Sequence, residues 1–186
     1  MFTAFLTAFA SVFIAELGDK TQLVTLSLSS RYPPVHVLGG TMLALVILIS
    51  LAVGLGNVIY NYVPLEIISL VSGFFFIIMG VWIYLQPAEK PRQKELSKSG
   101  FNQAFVITLL AEMGDKTQMA VLLLAASLGA PLAVLLGAIL AMLLIHSISV
   151  FLGSRFLVKL PQRVLKVGAA LLFIVIGLLV IIIGPE

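Results

Sequence analysis

The stretch AELGDKTQ, beginning at Ala15, places a Glu, an Asp and a Lys inside an otherwise apolar run. AEMGDKTQ, beginning at Ala111, repeats it with one change, Met113 for Leu17. Agreement at seven of eight positions is not a chance event. On a helix turning about 100° per residue, Glu16, Asp19 and Lys20 share one face within roughly a third of a turn, as do Glu112, Asp115 and Lys116. Carboxylates at this spacing are metal or proton ligands. Thr21, Gln22, Thr117 and Gln118 add hydroxyl and amide oxygens, and such an oxygen set suits hard cations such as Mg²⁺, Ca²⁺ and Mn²⁺. The chain has no cysteine, so thiolate sites are excluded, and zinc or copper would ask for more imidazole than this motif offers.

Charge bookkeeping sharpens the chemistry. Glu16, Asp19, Glu112 and Asp115 against Lys20 and Lys116 leave two negative charges, which one divalent cation or two protons would neutralise. Metal and protons are then competitors for the same carboxylates. Lys20 and Lys116 are expected to balance charge by pairing with an Asp, either their own copy's or the other's. On an unbroken helix each Thr lies well away from its own Glu. Gly18 and Gly114 give the helix a place to loosen and free backbone carbonyls as further ligands.

The elements that position these residues are membrane spans. The 186 residues are 61% hydrophobic and only 10% charged, outside the range of soluble domains. Apolar runs of about 20 residues, the bilayer-crossing length, recur six times: 2–28, 35–57, 67–85, 101–128, 131–153 and 164–183. The first and fourth carry the motif. An Asp or Lys at the centre of a span costs about 2.5–3.5 kcal/mol on the insertion scale, so six such groups must face the bundle interior and be compensated. A purely structural ion pair would explain one Asp and one Lys but leave both Glu unaccounted for. No Lys or Arg precedes the first run, so it reads as a retained span and not a cleaved signal.

The repeat extends beyond the motif. Gly40 aligns with Gly137, Ser50 with Ser147, Gly56 with Gly153, Pro64 with Pro161 and Gly80 with Gly177, with a one-residue gap allowed in the loop at 30–34 of the first half. The expected organisation is an all-α membrane protein with a first three-helix repeat at 1–86, a polar cytoplasmic linker at 87–100 and a second three-helix repeat at 101–186. Three spans per repeat put the second copy upside down, an inverted pair of the kind common in secondary transporters, with the site at the repeat interface. Arg31, Lys90, Arg92, Lys94, Lys98, Arg155, Lys159, Arg163 and Lys166 all fall in the first, third and fifth connections. The second and fourth have no Lys or Arg, so the basic side is expected in the cytoplasm with both termini outside. The net charge of +3 follows from these loops, and no nucleic-acid partner is expected.

Other residues divide between two readings. His146, opposite Ile49 in the repeat, is either a proton relay or a hydrogen-bonded packing residue. Ser50, Ser147 and Ser149 either line a path or pack helices. Gly39, Gly40, Gly54 and Gly56 read as sites of close helix contact. Met113 offers a soft sulfur that would favour Mn²⁺ over Ca²⁺, or fills space. Glu66 and His36 read as solvated and interfacial.

The duplicated Glu-x-Gly-Asp-Lys-Thr pattern, on the first and fourth of six spans, resembles the cation/proton exchanger family that includes bacterial manganese exporters of the MneA type and the Golgi manganese/calcium transporters of eukaryotes, grouped with LysE-type exporters. The resemblance covers essentially the whole chain. It implies export of Mn²⁺, with Ca²⁺ in some members, in exchange for protons. The family's acidic positions map onto Glu16, Asp19, Glu112 and Asp115, and its basic and hydroxyl positions onto Lys20, Thr21, Lys116 and Thr117. The short linker and the lack of an N-terminal extension imply a bacterial plasma-membrane protein.

The expected function is therefore a secondary transporter, not an enzyme, with no cofactor. Its partners are a divalent ion, protons and the lipid bilayer, and monomer and homodimer both stay open. A passive divalent-cation channel would carry flux indifferent to the pH gradient. A LysE-like exporter of a cationic amino acid keeps the same fold. An intramembrane enzyme is disfavoured by the lack of a nucleophile or His-ligated metal.

Overall fold

The computed structural model describes residues 1–17, 19–29, 31–85, 99–152 and 162–182. These form helices α1 (Phe2–Glu16), α2 (Lys20–Ser29), α3 (Pro34–Tyr62), α4 (Leu65–Leu85), α5 (Gly100–Glu112), α6 (Lys116–Leu128), α7 (Pro131–Leu152) and α8 (Gln162–Ile182). The described residues contain no strand. Proline and glycine set several boundaries. Pro34 and Pro131 open α3 and α7, where a missing N–H costs nothing, and Gly129 closes α6 with φ +58°.

The first and fourth apolar runs are not continuous helices. Each breaks inside its motif, giving α1 with α2 and α5 with α6. The breaks are alike: Leu17 (φ −61°, ψ 113°) and Met113 (φ −63°, ψ 114°) both leave the helix in an extended conformation. Gly114 follows at φ +76°, which a side chain would resist. The expected loosening thus goes as far as interruption. A single continuous motif face is replaced by two facing helix ends.

α3, α4 (over Leu65–Trp82) and α7 are long and apolar enough to cross a membrane, while Phe2–Glu16, Lys116–Leu128 and Ala170–Ile182 are apolar but shorter. α3 runs to Tyr62, five residues beyond the expected end. The radial distribution of side chains suits lipid. Leu51, Leu55, Phe74, Ile78, Leu136 and Leu140 are exposed, whereas Glu16, Glu112, Thr21, Gln22 and His146 are buried. Water would favour the reverse. Where helices meet, the contact is often alanine, as at Ala8, Ala44, Ala125, Ala138 and Ala141, because close backbone approach is what holds helices together in lipid.

α1 packs on α7, α3 on α5, and α4 on α8, with α3 also against α6 and α7. Equivalent residues of the two halves make matching contacts. A Cβ on Gly40 would meet Phe101 O and Phe105 N, and one on Gly137 would meet Phe5 O and Phe9 N. Likewise Gly80 lies on Ala170 O and Ile174, and Gly177 on Gly73 O and Ile77. Gly56 fits the expected role, against Leu122 O. Gly54 does not: it is exposed with open space around it. The linker with Lys90, Arg92, Lys94 and Lys98, the loop residues Arg155 and Lys159, the aligned Gly153 and Pro161, and the side chains of Arg163 and Lys166 lie outside the described residues.

Candidate functional site

The two breaks face each other. α1 ends at Glu16 and α2 begins at Lys20, while α5 ends at Glu112 and α6 begins at Lys116. A helix that stops mid-bundle leaves carbonyls at one end and N–H groups at the other without helical partners. Here Asp19 N donates to Glu16 O at 3.1 Å and Asp115 N to Glu112 O at 3.0 Å, so each break is closed by the same turn. Gly114 N donates to Gln118 Oε1 at 2.6 Å. Gln118, expected as a ligand, therefore holds the backbone of the break in place.

Side chains then cross between copies. Thr117 Oγ1 donates to Glu16 Oε1, and Thr21 Oγ1 donates to Glu112 Oε1. Both hydroxyls, distant from their own Glu on a straight helix, reach the other copy's Glu because the breaks lie opposite one another. Lys116 Nζ lies 2.6 Å from Asp19 Oδ1, so the Lys–Asp pairing runs between copies. Lys20 begins α2, and its side chain lies outside the described residues.

Three of the four expected carboxylates converge. Ligand oxygens of Glu16, Asp19 and Asp115 lie within 4.8 Å of one another. That is about twice a hard cation's bond length to oxygen, so one ion could touch all three. Glu16 is fully buried, and Glu16 Oε2 and Asp19 Oδ2 are buried without a hydrogen-bond partner. Buried carboxylate oxygens in that condition are costly unless something cationic meets them. Glu112 is also buried, at 3% exposure, but stands outside the trio. Gln22 is buried at 2% exposure on the first turn of α2.

Comparison with known proteins shows which family the chain belongs to. The family model for the divalent cation/proton antiporter GDT1 matches residues 4–91 and 100–186. The chain belongs to the GDT1 family. Within that family's reach lie a Vibrio cholerae protein named "Putative manganese exporter", 34% identical over 90% of this chain and 85% of its own length, and the Arabidopsis thaliana GDT1-like protein 5, 27% identical over 94% and 93%. The GDT1-like protein 3 of rice (Oryza sativa subsp. indica) is 26% identical over 94% of this chain and 72% of its own length. No solved structure matches the chain. A GDT1 protein is a transporter and not an enzyme, and the long apolar helices make this one a multi-pass membrane protein.

The remaining expected residues are less central. Met113 is 62% exposed, so it fills no interior space. Ser50 is exposed on α3, whereas Ser149 is buried and donates to Ile145 O at 2.8 Å. Glu66 and His36 are exposed, as expected. Sequence reasoning missed Thr25, fully buried one turn beyond Thr21. It also missed the buried pair Thr41 and Thr108, whose hydroxyls lie 3.4 Å apart. The helical spacing of Thr21 and Thr25 was the available signal.

Proposed function

We propose that this GDT1 protein exports a divalent cation, Mn²⁺ in the first place, across a bacterial plasma membrane in exchange for entering protons. The observation that carries the reading is the convergence of Glu16, Asp19 and Asp115, from both motif copies, with Glu16 Oε2 and Asp19 Oδ2 buried and lacking donors. All-oxygen ligation suits Mn²⁺ and Ca²⁺ alike, and the name of the Vibrio relative favours Mn²⁺.

The ion is held by Glu16, Asp19 and Asp115. Thr117 orients Glu16, and Lys116 steadies Asp19 when the metal has left. Glu112, outside the trio and paired with Thr21, takes a returning proton. The carbonyl ends of α1 and α5 add negative potential at the site.

The architecture we infer is six spans in two inverted three-helix repeats, with α1–α2 and α5–α6 as interrupted spans. Its support is the matching glycine contacts and the matching breaks. The basic first, third and fifth connections face the cytoplasm in this arrangement.

The test is reconstitution in liposomes with an internal pH dye, challenged with Mn²⁺, Ca²⁺ and Mg²⁺ in turn. Metal-driven proton movement against the metal gradient is expected, strongest with Mn²⁺. Metal flux that leaves the internal pH unchanged would overturn the reading.

A further inference from the structure

One buried polar cluster lies outside the carboxylate site. His146 on α7 is fully buried, with Nδ1 3.5 Å from Thr25 Oγ1 on α2. Thr25 directs its hydroxyl hydrogen to backbone oxygens of its own helix, Thr21 O at 3.1 Å and Gln22 O at 3.0 Å. Its oxygen is therefore left to accept, and the proton of the neutral imidazole belongs on Nδ1. Nε2 is then a lone-pair acceptor, and it is buried with no hydrogen-bond partner. The polar stripe continues in both directions. Thr21, one turn back, touches Glu112. Ser29, one turn on, donates to Thr25 O at 2.7 Å, and Ser149 follows His146 on α7.

The repeat-equivalent contact of α6 with α3 has nothing like it. The positions equivalent to Thr25, Ser29, His146 and Ser149 are Val121, Ala125, Ile49 and Ala52, all buried and apolar. The motif itself is kept in both halves, so the metal site does not call for this stripe. Its work is one-sided. It runs from the Glu112 end of the site toward the end of the bundle where α2 leads to Arg31.

We propose that His146 and Thr25 form a proton station on that one side of the site, passing protons between Glu112 and the Arg31 face without binding the metal. This rests on the proton-exchange reading above. The imidazole accepts a proton at Nε2 and releases the one on Nδ1 to Thr25 Oγ1, whose own hydroxyl proton leaves in the same step along the stripe; return of the ring proton from Nε2 to Nδ1 resets the station, so no net charge is retained after passage. The described charged side chains on the elements around α7 are Glu16 on α1, Asp19 at the break and Lys116 on α6. Among the described side chains, α2 and α3 bring no other charged group to it.

The experiment uses His146→Ile, which installs the other half's residue, together with Thr25→Val and Thr25→Ser, in proteoliposomes and in detergent. Mn²⁺ binding by His146→Ile and Thr25→Val is expected within about twofold of wild type, while Mn²⁺-driven proton flux falls about tenfold or more and loses its wild-type pH profile. Thr25→Ser keeps the hydroxyl and is expected to restore the flux that Thr25→Val loses. If His146→Ile does not fold, the Thr25 pair carries the test alone. Loss of Mn²⁺ binding in parallel with flux, or flux with an unchanged pH profile in His146→Ile or Thr25→Val, overturns the station. If wild type itself moves Mn²⁺ without protons, the exchange reading fails instead, and the two failures are told apart by that control.

Discussion

At the scale of single residues, the two Glu of the motif differ in setting although they match in sequence. Glu16 lies in the convergent trio and Glu112 does not. Glu16→Gln is therefore expected to weaken Mn²⁺ binding about tenfold or more, since it removes one anionic ligand from a site with few. Glu112→Gln is expected to keep most of the binding and lose metal-coupled proton movement. Isothermal titration beside liposome flux separates the two, and normal coupled transport by either variant would sink the site. Binding should also weaken as pH falls, because protons and metal compete for the carboxylates. The expected change is about tenfold in apparent Kd per pH unit for each proton displaced. Asp19, Glu16 and Lys116 were legible from residue type and spacing alone. The Thr-to-Glu crossing was not, because on its own helix each Thr points away from its Glu, and only the opposing copy brings an acceptor within reach.

At the scale of elements, the helix breaks and the glycine contacts carry the design. A Cβ on Gly40 would stand 2.2 Å from Phe101 O, and one on Gly137 2.5 Å from Phe5 O. Backbone cannot yield there as a flexible side chain could. Gly40→Leu and Gly137→Leu are each expected to cost about 1–3 kcal/mol or more, seen as lower melting temperatures in detergent. Similar losses are expected, since the contacts are equivalent. Gly114→Ala tests the break: the left-handed backbone costs a side chain about 1–2 kcal/mol, and there is open space around it. A modest drop in stability with a larger drop in transport is expected if the break geometry positions Asp115. The sequence placed glycines at the motifs but did not tell a loosened turn from a full interruption. Helix continuity there depends on whether the freed groups find partners at the break, as Gly114 N does in Gln118 within the second copy.

At the scale of the whole molecule, the proposed inverted arrangement makes opposite faces of Arg31 and Glu66, both exposed at helix ends. The chain has no cysteine, so Arg31→Cys and Glu66→Cys each give a single thiol. In cells, a membrane-impermeant thiol reagent is expected to label Glu66→Cys from outside and to reach Arg31→Cys only after permeabilisation. Labelling of both from one side would refute the inverted arrangement. The one-sided polar stripe at His146 and Thr25 predicts, in addition, that the two faces of the site do not conduct protons equally.

The sequence alone determined the class of protein and the chemistry of the motif. Long apolar runs with six intramembrane charges admit few other solutions, because the cost of charge in lipid is large and local. Duplication of the motif was equally plain, since it needs only comparison of the chain with itself. Tertiary structure decided which of the eight oxygen-bearing side chains meet. It joined Glu16, Asp19 and Asp115, set Glu112 apart with Thr21, and gave Lys116 to Asp19 of the other copy. Those pairings depend on the relative height and rotation of two helix breaks that are far apart in the chain. Nothing in residue type or spacing encodes that offset. It is set by the glycine contacts of α1 on α7 and α3 on α5, which fix how the halves seat against each other.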